Sequence, residues 1–273
     1  MKIIKQSYEI INQTDFSIEG IEKFVEKCAR VSYKSEDKIT EDSYKQFVQN
    51  LIKNDHGRPL ELGTVYLTVP IVYGHETKLT NNEMKILRNP YTKYLYDDKL
   101  YITTNYRVII GDHMESLLKY LSEPTKHYKR YTVHFIINRG VMDEFRTHVS
   151  LSHLAESTRF CSYNKDRFEN EVTFILPHWW EKKDWNNREF FLKCCRESEK
   201  NYFSMLEQGF KAQDARDVLP LDIKSELISC GFGDAWENFF YRRADKVAHP
   251  MAQQIAIPLQ KDFKEILKDS RAN

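Results

Sequence analysis

The stretch Asn138–Tyr163, NRGVMDEFRTHVSLSHLAESTRFCSY, is where the chain declares itself. It follows a short apolar run, Tyr131 to Ile137, that reads as a β-strand. Within it lie Arg139, Arg146, His148, His153 and Arg159, acids at Asp143, Glu144 and Glu156, and hydroxyls at Ser150, Ser152, Ser157 and Thr158. A core helix does not spend so many polar groups. A strand, a turn at Gly140 and then a polar segment is one way to build an anion site, because helix-start N–H groups and guanidinium forks both favour phosphate. A solvated, salt-bridged helix accounts for the same composition.

Outward from this stretch the bulk numbers set limits. The chain has 273 residues, enough for one large domain or two small ones. Its formal net charge is +1, from 41 basic and 40 acidic side chains, which gives no electrostatic case for nucleic acid or an anionic membrane. Cysteines occur at 28, 161, 194, 195 and 230. An odd, scattered set argues against a disulfide framework, and the lack of a Cys-x-x-Cys pair argues against structural zinc. The N-terminus has no leader-like apolar core, and no 18-residue apolar run exists. These features point to a soluble protein of a reducing compartment.

The periodicity predicts strands over 1–12, 63–69, 101–110 and 131–137, and 172–176 is an apolar run ended by Pro177. It predicts helices over 18–30, 40–54, 112–121, 188–210, 213–218, 221–230, 234–244 and 251–267. Residues 74–100 read as a long ordered loop or short helix. The expected fold is mixed α/β (α+β), with a small antiparallel or mixed sheet packed with helices. It forms one domain over 1–273, its strands lying at about 1–180 and its helices at about 185–270. No Gly-x-Gly-x-x-Gly, Walker A or Gly-x-Ser-x-Gly sequence is present.

Arginines beside turns are the candidate phosphate ligands: Arg159 two residues after Ser157, Arg216 just before Leu219-Pro220, and Arg242 and Arg243 at the end of a helical run. Each also suits structural salt bridging. His148 can serve as a general base or ring donor, or as a packing histidine. Cys161 lacks a legible orienting partner for a thiolate role. His148 and His153 are five apart, poor spacing for a metal on one helix face, and no metal site is expected.

The segment from Arg139 to Phe160 resembles the signature of flavin-dependent thymidylate synthases, the ThyX (Thy1) family. That family shows Arg-His-Arg, seven residues, Ser, then x-Arg-Tyr. Here Thr147-His148-Val149 is followed seven residues later by Ser157 and Thr158-Arg159-Phe160. ARVSYKSEDKI (29–39), HGRPLEL (56–62), CSYNKDRFENEVTFILP (161–177), ARDVLP (215–220) and WENFFYRRADKVAHPMAQQIAIPL (236–259) are similar to further family segments, in the family's order.

The resemblance implies reductive methylation of dUMP to dTMP. Methylenetetrahydrofolate is the carbon donor, NAD(P)H the reductant and FAD the bound cofactor. It implies a cytoplasmic homotetramer with active sites at subunit interfaces. Carried over by position, Glu144, Ser157, Arg159, Arg216 and Arg243 fall on dUMP contacts, with Arg243 the catalytic group against the uracil ring. Ser32, Thr64, His148 and Asn238 fall on the flavin side. That side also departs from the pattern: Thr147 and Val149 replace two arginines, Leu62 a histidine, Phe232 an asparagine and Asp234 an arginine. The alternative implied is a relative that keeps pyrimidine-nucleotide binding with lost or altered flavin chemistry.

Overall fold

The computed structural model describes residues 1–73, 76–157, 163 and 170–269. The architecture is mixed α/β, with antiparallel sheets packed among helices and a helical C-terminal region. The strands are β1 (Lys2–Ile4), β2 (Ser7–Ile10), β3 (Thr64–Tyr73), β4 (Glu76–Thr77), β5 (Lys93–Tyr96), β6 (Lys99–Asn105), β7 (Arg130–Asn138), β8 (Ser152–Ala155), β9 (Thr173–Ile175) and β10 (Lys224–Phe232). The helices are α1 (Ile18–Tyr33), α2 (Ser43–Lys53), α3 (Tyr106–Gly111), α4 (Arg139–Phe145), α5 (Trp185–Glu207), α6 (Ala212–Ala215), α7 (Gly233–Arg243) and α8 (Pro250–Asp269). No described helix is long and apolar enough to cross a membrane.

The first sheet has the order β2-β7-β10-β8, antiparallel throughout. Its two faces are dictated by the strand period. Tyr131, Val133, Phe135 and Ile137 point to one face and pack under α4, α7 and α8 with Phe145, Trp236, Phe239, Ile255 and Phe263. Aromatic edges lock this layer: Phe145 and Phe239 lie 4.7 Å apart, and the Trp236 indole donates to the Tyr131 carbonyl at 3.1 Å. On the opposite face Ile228 and Cys230 meet Phe24 and Cys28 of α1.

The second sheet, β4-β3-β6-β5, packs Val65, Leu67, Val69, Leu100 and Ile102 against α1, α2 and α3. The first and third of these helices reach it through Ile21, Val25 and Ile109. A short parallel pair, β1 with β9, joins the layer of α5, where Phe174, Cys195 and Tyr202 are buried.

Several local expectations change. The stretch 221–230 is no helix: it is β10, an inner strand of the first sheet. Burial on both faces erases the alternation that marks a half-exposed strand, and its polar Lys224, Ser225 and Glu226 are hidden by distant partners. The strand expected over 101–110 ends at Asn105, whose Oδ1 accepts the Val108 N–H at 3.1 Å and starts α3. Residues 74–100 hold β4, a 3-10 turn over Glu83–Arg88 and β5, and the helix expected over 112–121 is only a 3-10 turn, Glu115–Tyr120. The run 1–12 splits into two strands that serve different sheets.

Candidate functional site

Both inner strands of the first sheet pass straight into helices. Asn138 ends β7, and its Oδ1 accepts the Val141 N–H at 2.8 Å to open α4. Phe232 ends β10 and opens α7 with no side-chain cap. The two helices leave from opposite ends of this antiparallel pair, and the end of α7 meets the last turn of α4. There Arg243 is held from every side. Its Nη1 donates to the Glu144 carboxylate at 2.7 Å and its Nη2 to the Glu144 carbonyl at 2.8 Å and to Thr147 Oγ1 at 3.0 Å. Its Nε donates to His148 Nε2 at 2.9 Å. Helix ends leave carbonyls without partners, and a guanidinium in the last turn satisfies one and complements the dipole.

His148 is buried, 4% exposed, and its ring lies 5.0 Å from that of Phe239. Burial first, then the charge of Arg243 and other nearby cations, holds its pKa down at about 4. The ring is therefore neutral at pH 7. With Nε2 accepting, its proton sits on Nδ1. His153, on β8, backs the turn: its ring nitrogens pair with Ser229 Oγ at 2.8 Å and the His148 carbonyl at 3.0 Å. Burial pushes His153 to about 4 as well.

A second group forms on the α1 face of the same sheet. The Ser157 N–H donates to the Ser32 carbonyl at 3.1 Å, tying the start of the 157–160 segment to α1. Glu156 pairs with Lys224 at 3.0 Å and accepts the Glu226 N–H at 3.1 Å. Glu226 is bonded in turn to Lys34, Lys224 and, at 2.8 Å, His134. Burial raises the pKa of Glu226, but these cationic and N–H partners outweigh it and hold the carboxyl well below its ordinary value. For Lys224, burial disfavours the ammonium, and the Glu156 and Glu226 carboxylates reverse the balance.

Between the two sheets opens a cleft of about 500 Å³, lined among others by Tyr91, Lys93, Arg130, Ser150, Phe232 and Asn238. Gly231 lies in its wall, and a Cβ there would meet Leu151 at 2.5 Å. Lys93 lies 4.9 Å above the Phe232 ring and pairs with Asp234 at 2.6 Å. Arg130 spends its guanidinium on the Glu61 carbonyl at 2.8 Å, Thr64 Oγ1 at 3.3 Å and the Gly63 carbonyl at 3.5 Å. Val149 and Ser150, next to His148, border the same cleft, as does Asn238 of α7.

Three of the candidates thus meet in one cage: Arg243, Glu144 and His148. Ser157 and Ser32 meet in a second place, and Thr64 and Asn238 both adjoin Arg130, Thr64 by a hydrogen bond and Asn238 across the cleft. Arg216 is carried elsewhere, at the head of the 3-10 turn Arg216–Val218 in the layer of α5 and α6. Arg159 and Cys161 lie outside the described residues. Sequence reasoning passed over Arg130, Lys93 and the Lys34–Lys224–Glu226 network. Arg130 carried a signal, a cation at the head of an apolar run. Among the described residues no group of three or more His, Cys, Asp or Glu side chains is placed to hold a metal ion.

No curated protein matches the chain. Residues 91–267 match the family model described as Thymidylate synthase complementing protein, Thy1. The matched span holds most of the first sheet, the whole Arg243 cage, the cleft-lining helix α7 and the Ser157 segment. The chain belongs to the Thy1 family, the thymidylate synthase complementing proteins.

Proposed function

We propose that the chain catalyses reductive methylation of dUMP to dTMP, with methylenetetrahydrofolate as carbon donor, NAD(P)H as reductant and FAD as bound cofactor. The single observation that carries this reading is the Arg243 cage. A cation whose orientation is fixed before substrate arrives is what stabilisation of charge developing on a pyrimidine ring requires. Arg243 supplies that charge to the uracil carbonyls and N3, with Glu144 beside it as a base contact. Ser157 and Arg159 take the 5′-phosphate, and Arg216 makes a further nucleotide contact.

The cleft residues fit a flavin nucleotide. Arg130 and Lys93 face a single carboxylate, Asp234, which leaves a cationic balance for a diphosphate. The Phe232 ring offers a face for a planar heterocycle, and Ser150, Ser152 and Asn238 offer hydrogen-bonding groups. Thr64 steadies the Arg130 guanidinium. Ser32 and Asn238 complete the flavin side as the family pattern implies. Bound there, FAD would supply the hydride relay between NAD(P)H and the one-carbon unit. The protein works as a single domain and a cytoplasmic homotetramer. Tyr241 and Val247, 78% and 92% exposed beside the cage, suit a subunit contact that completes the site.

A second reading has its own support. Thr147 and Val149 stand where the family carries guanidiniums. Val149 is 89% exposed, and the Thr147 hydroxyl is committed to the Glu144 carbonyl at 2.7 Å and to Arg243. Neither offers charge to a diphosphate. This favours a protein that binds the pyrimidine nucleotide with altered flavin chemistry. One assay separates the two: tritium release from 5-³H-dUMP with and without FAD, NADPH and methylenetetrahydrofolate. FAD-dependent release supports the first reading. Binding of dUMP to a colourless protein that FAD does not titrate rejects it for the second.

A further inference from the structure

We infer that His148 is a positioning residue for Arg243, the neutral acceptor that fixes the Nε edge of its guanidinium, and not a cofactor ligand. The inference rests on the proposed role of Arg243 and assigns His148 a different task from the one its place in the family motif implies.

A guanidinium has five N–H donors in one plane. Four are accounted for: Nε on His148, one Nη1 hydrogen on the Glu144 carboxylate, and both Nη2 hydrogens on the Glu144 carbonyl and Thr147 Oγ1. One Nη1 hydrogen remains to address a substrate oxygen. Glu144 and Thr147 together hold the Nη edge. Without His148 the plane can still rock about that edge, because nothing else among the described residues takes the Nε hydrogen. Two edges held at about 3 Å define the plane fully.

The acceptor has to be uncharged. An imidazolium has no lone pair to offer and repels the guanidinium. The fold keeps the ring neutral by hiding it: His148 is 4% exposed, packed on Phe239. The His153 ring pairs with its backbone carbonyl at 3.0 Å and fixes where the ring stands. A side chain this buried, with its Nε2 lone pair already used, has little surface left for a flavin. Thr147 is part of the same device. At the position of a family arginine it supplies an acceptor to Arg243, where a second guanidinium would supply repulsion.

The test compares two variants of the full chain. His148→Phe keeps the packing on Phe239 and removes the acceptor. His148→Asn keeps a carbonyl that can accept the Nε hydrogen. Measured are kcat and KM for dUMP by tritium release, bound flavin per protomer by absorbance, and solvent exchange of the Arg243 Nε–H by NMR. A mispositioned group costs about a hundredfold in rate. His148→Phe is therefore expected to lower kcat by that order with KM for dUMP and flavin content unchanged. His148→Asn is expected to regain at least about tenfold of the loss, which a merely structural role would not produce. Flavin loss in both variants, tracking the loss of turnover, overturns the proposal. If the wild-type protein releases no tritium, the functional reading fails, and the NMR arm still decides this inference. A slowly exchanging Nε–H in wild type and His148→Asn supports it, and a freely exchanging Nε–H in wild type overturns it. Should His148→Phe not fold, the exchange rate of the wild-type Nε–H decides alone.

Discussion

Arg243 and Arg130 are two largely buried guanidiniums at opposite ends of the first sheet's machinery, and they are held in opposite ways. Arg243 is neutralised: a carboxylate, an imidazole, a carbonyl and a hydroxyl surround it. Arg130 is not. Carbonyls and the Thr64 hydroxyl orient it, and among the described residues it has no carboxylate partner. Its charge stands unbalanced on the wall of a cleft that holds a second cation, Lys93. A compensated cation is fixed in direction and contributes a directed N–H. An uncompensated one keeps its charge for an anion that comes from outside. The pair therefore divides the site into an orienting end and an anion-attracting end, joined by α7 and the turn 147–150.

The sharpest way to break this division is Arg243→Ala. If Arg243 is a transition-state donor, turnover falls about a hundredfold to a thousandfold, as for loss of other preorganised donors, while the oligomeric state is unchanged. Undiminished tritium release would remove Arg243 from the chemistry. Next comes Arg130→Met. It should weaken an anionic cofactor such as FAD by roughly 1.5–3 kcal/mol, the worth of a hydrogen bond to a charged group, with little effect on turnover at saturating cofactor. An unchanged dissociation constant for FAD would show that the charge of Arg130 serves the fold alone.

The orienting end also predicts a pH dependence of stability. His148 and His153 each have a folded pKa of about 4, against an unfolded value of about 6.5. Below pH 6.5 the unfolded chain binds the proton first. Stability is thus complete above pH 6.5 and is lost progressively as the pH falls toward 4. The thermal midpoint of wild type should fall across this window more steeply than that of His148→Asn. Parallel curves would contradict a buried neutral imidazole. The smallest effect concerns the cleft. Phe232 occupies an N-cap and leaves α7 uncapped. Phe232→Asn should add a cap worth about 1 kcal/mol, offset in part by loss of the Lys93 contact with the ring, worth about 0.5–1 kcal/mol. A net loss of stability in denaturant titration would mean the ring outweighs the cap.

Much of this was legible in the residues. Helices α1, α5, α7 and α8 carry apolar groups at helical spacing, and β7 is an apolar run ended by a capping asparagine. The clustering of Arg, His and Glu between 138 and 163 marked the right region. What could not be read was which group faces which. β10 looked helical because its charges are matched by Lys34, Glu156 and His134, none of them local to it. The second sheet's hairpin, β5 with β6, hid in a tyrosine-rich stretch whose strand character comes from packing rather than from alternation. His148 was assigned by its place in a motif. Only the geometry showed its Nε2 turned to Arg243, a residue 95 positions away.

The direct passage from β7 into α4 at Asn138 has a bearing on where this protein can change length. Each residue of an α-helix advances it by about 100°. A single insertion between Asn138 and Glu144 would swing the Glu144 carboxylate about a quarter-turn away from Arg243, with no slack in the joint to absorb it. The 3-10 turns at Glu83–Arg88 and Glu115–Tyr120 sit in connections away from that joint. Each of those turns buries a core side chain, Ile86 or Leu117, so length changes and engineered peptide tags are expected to be refused there as at the β7–α4 corner.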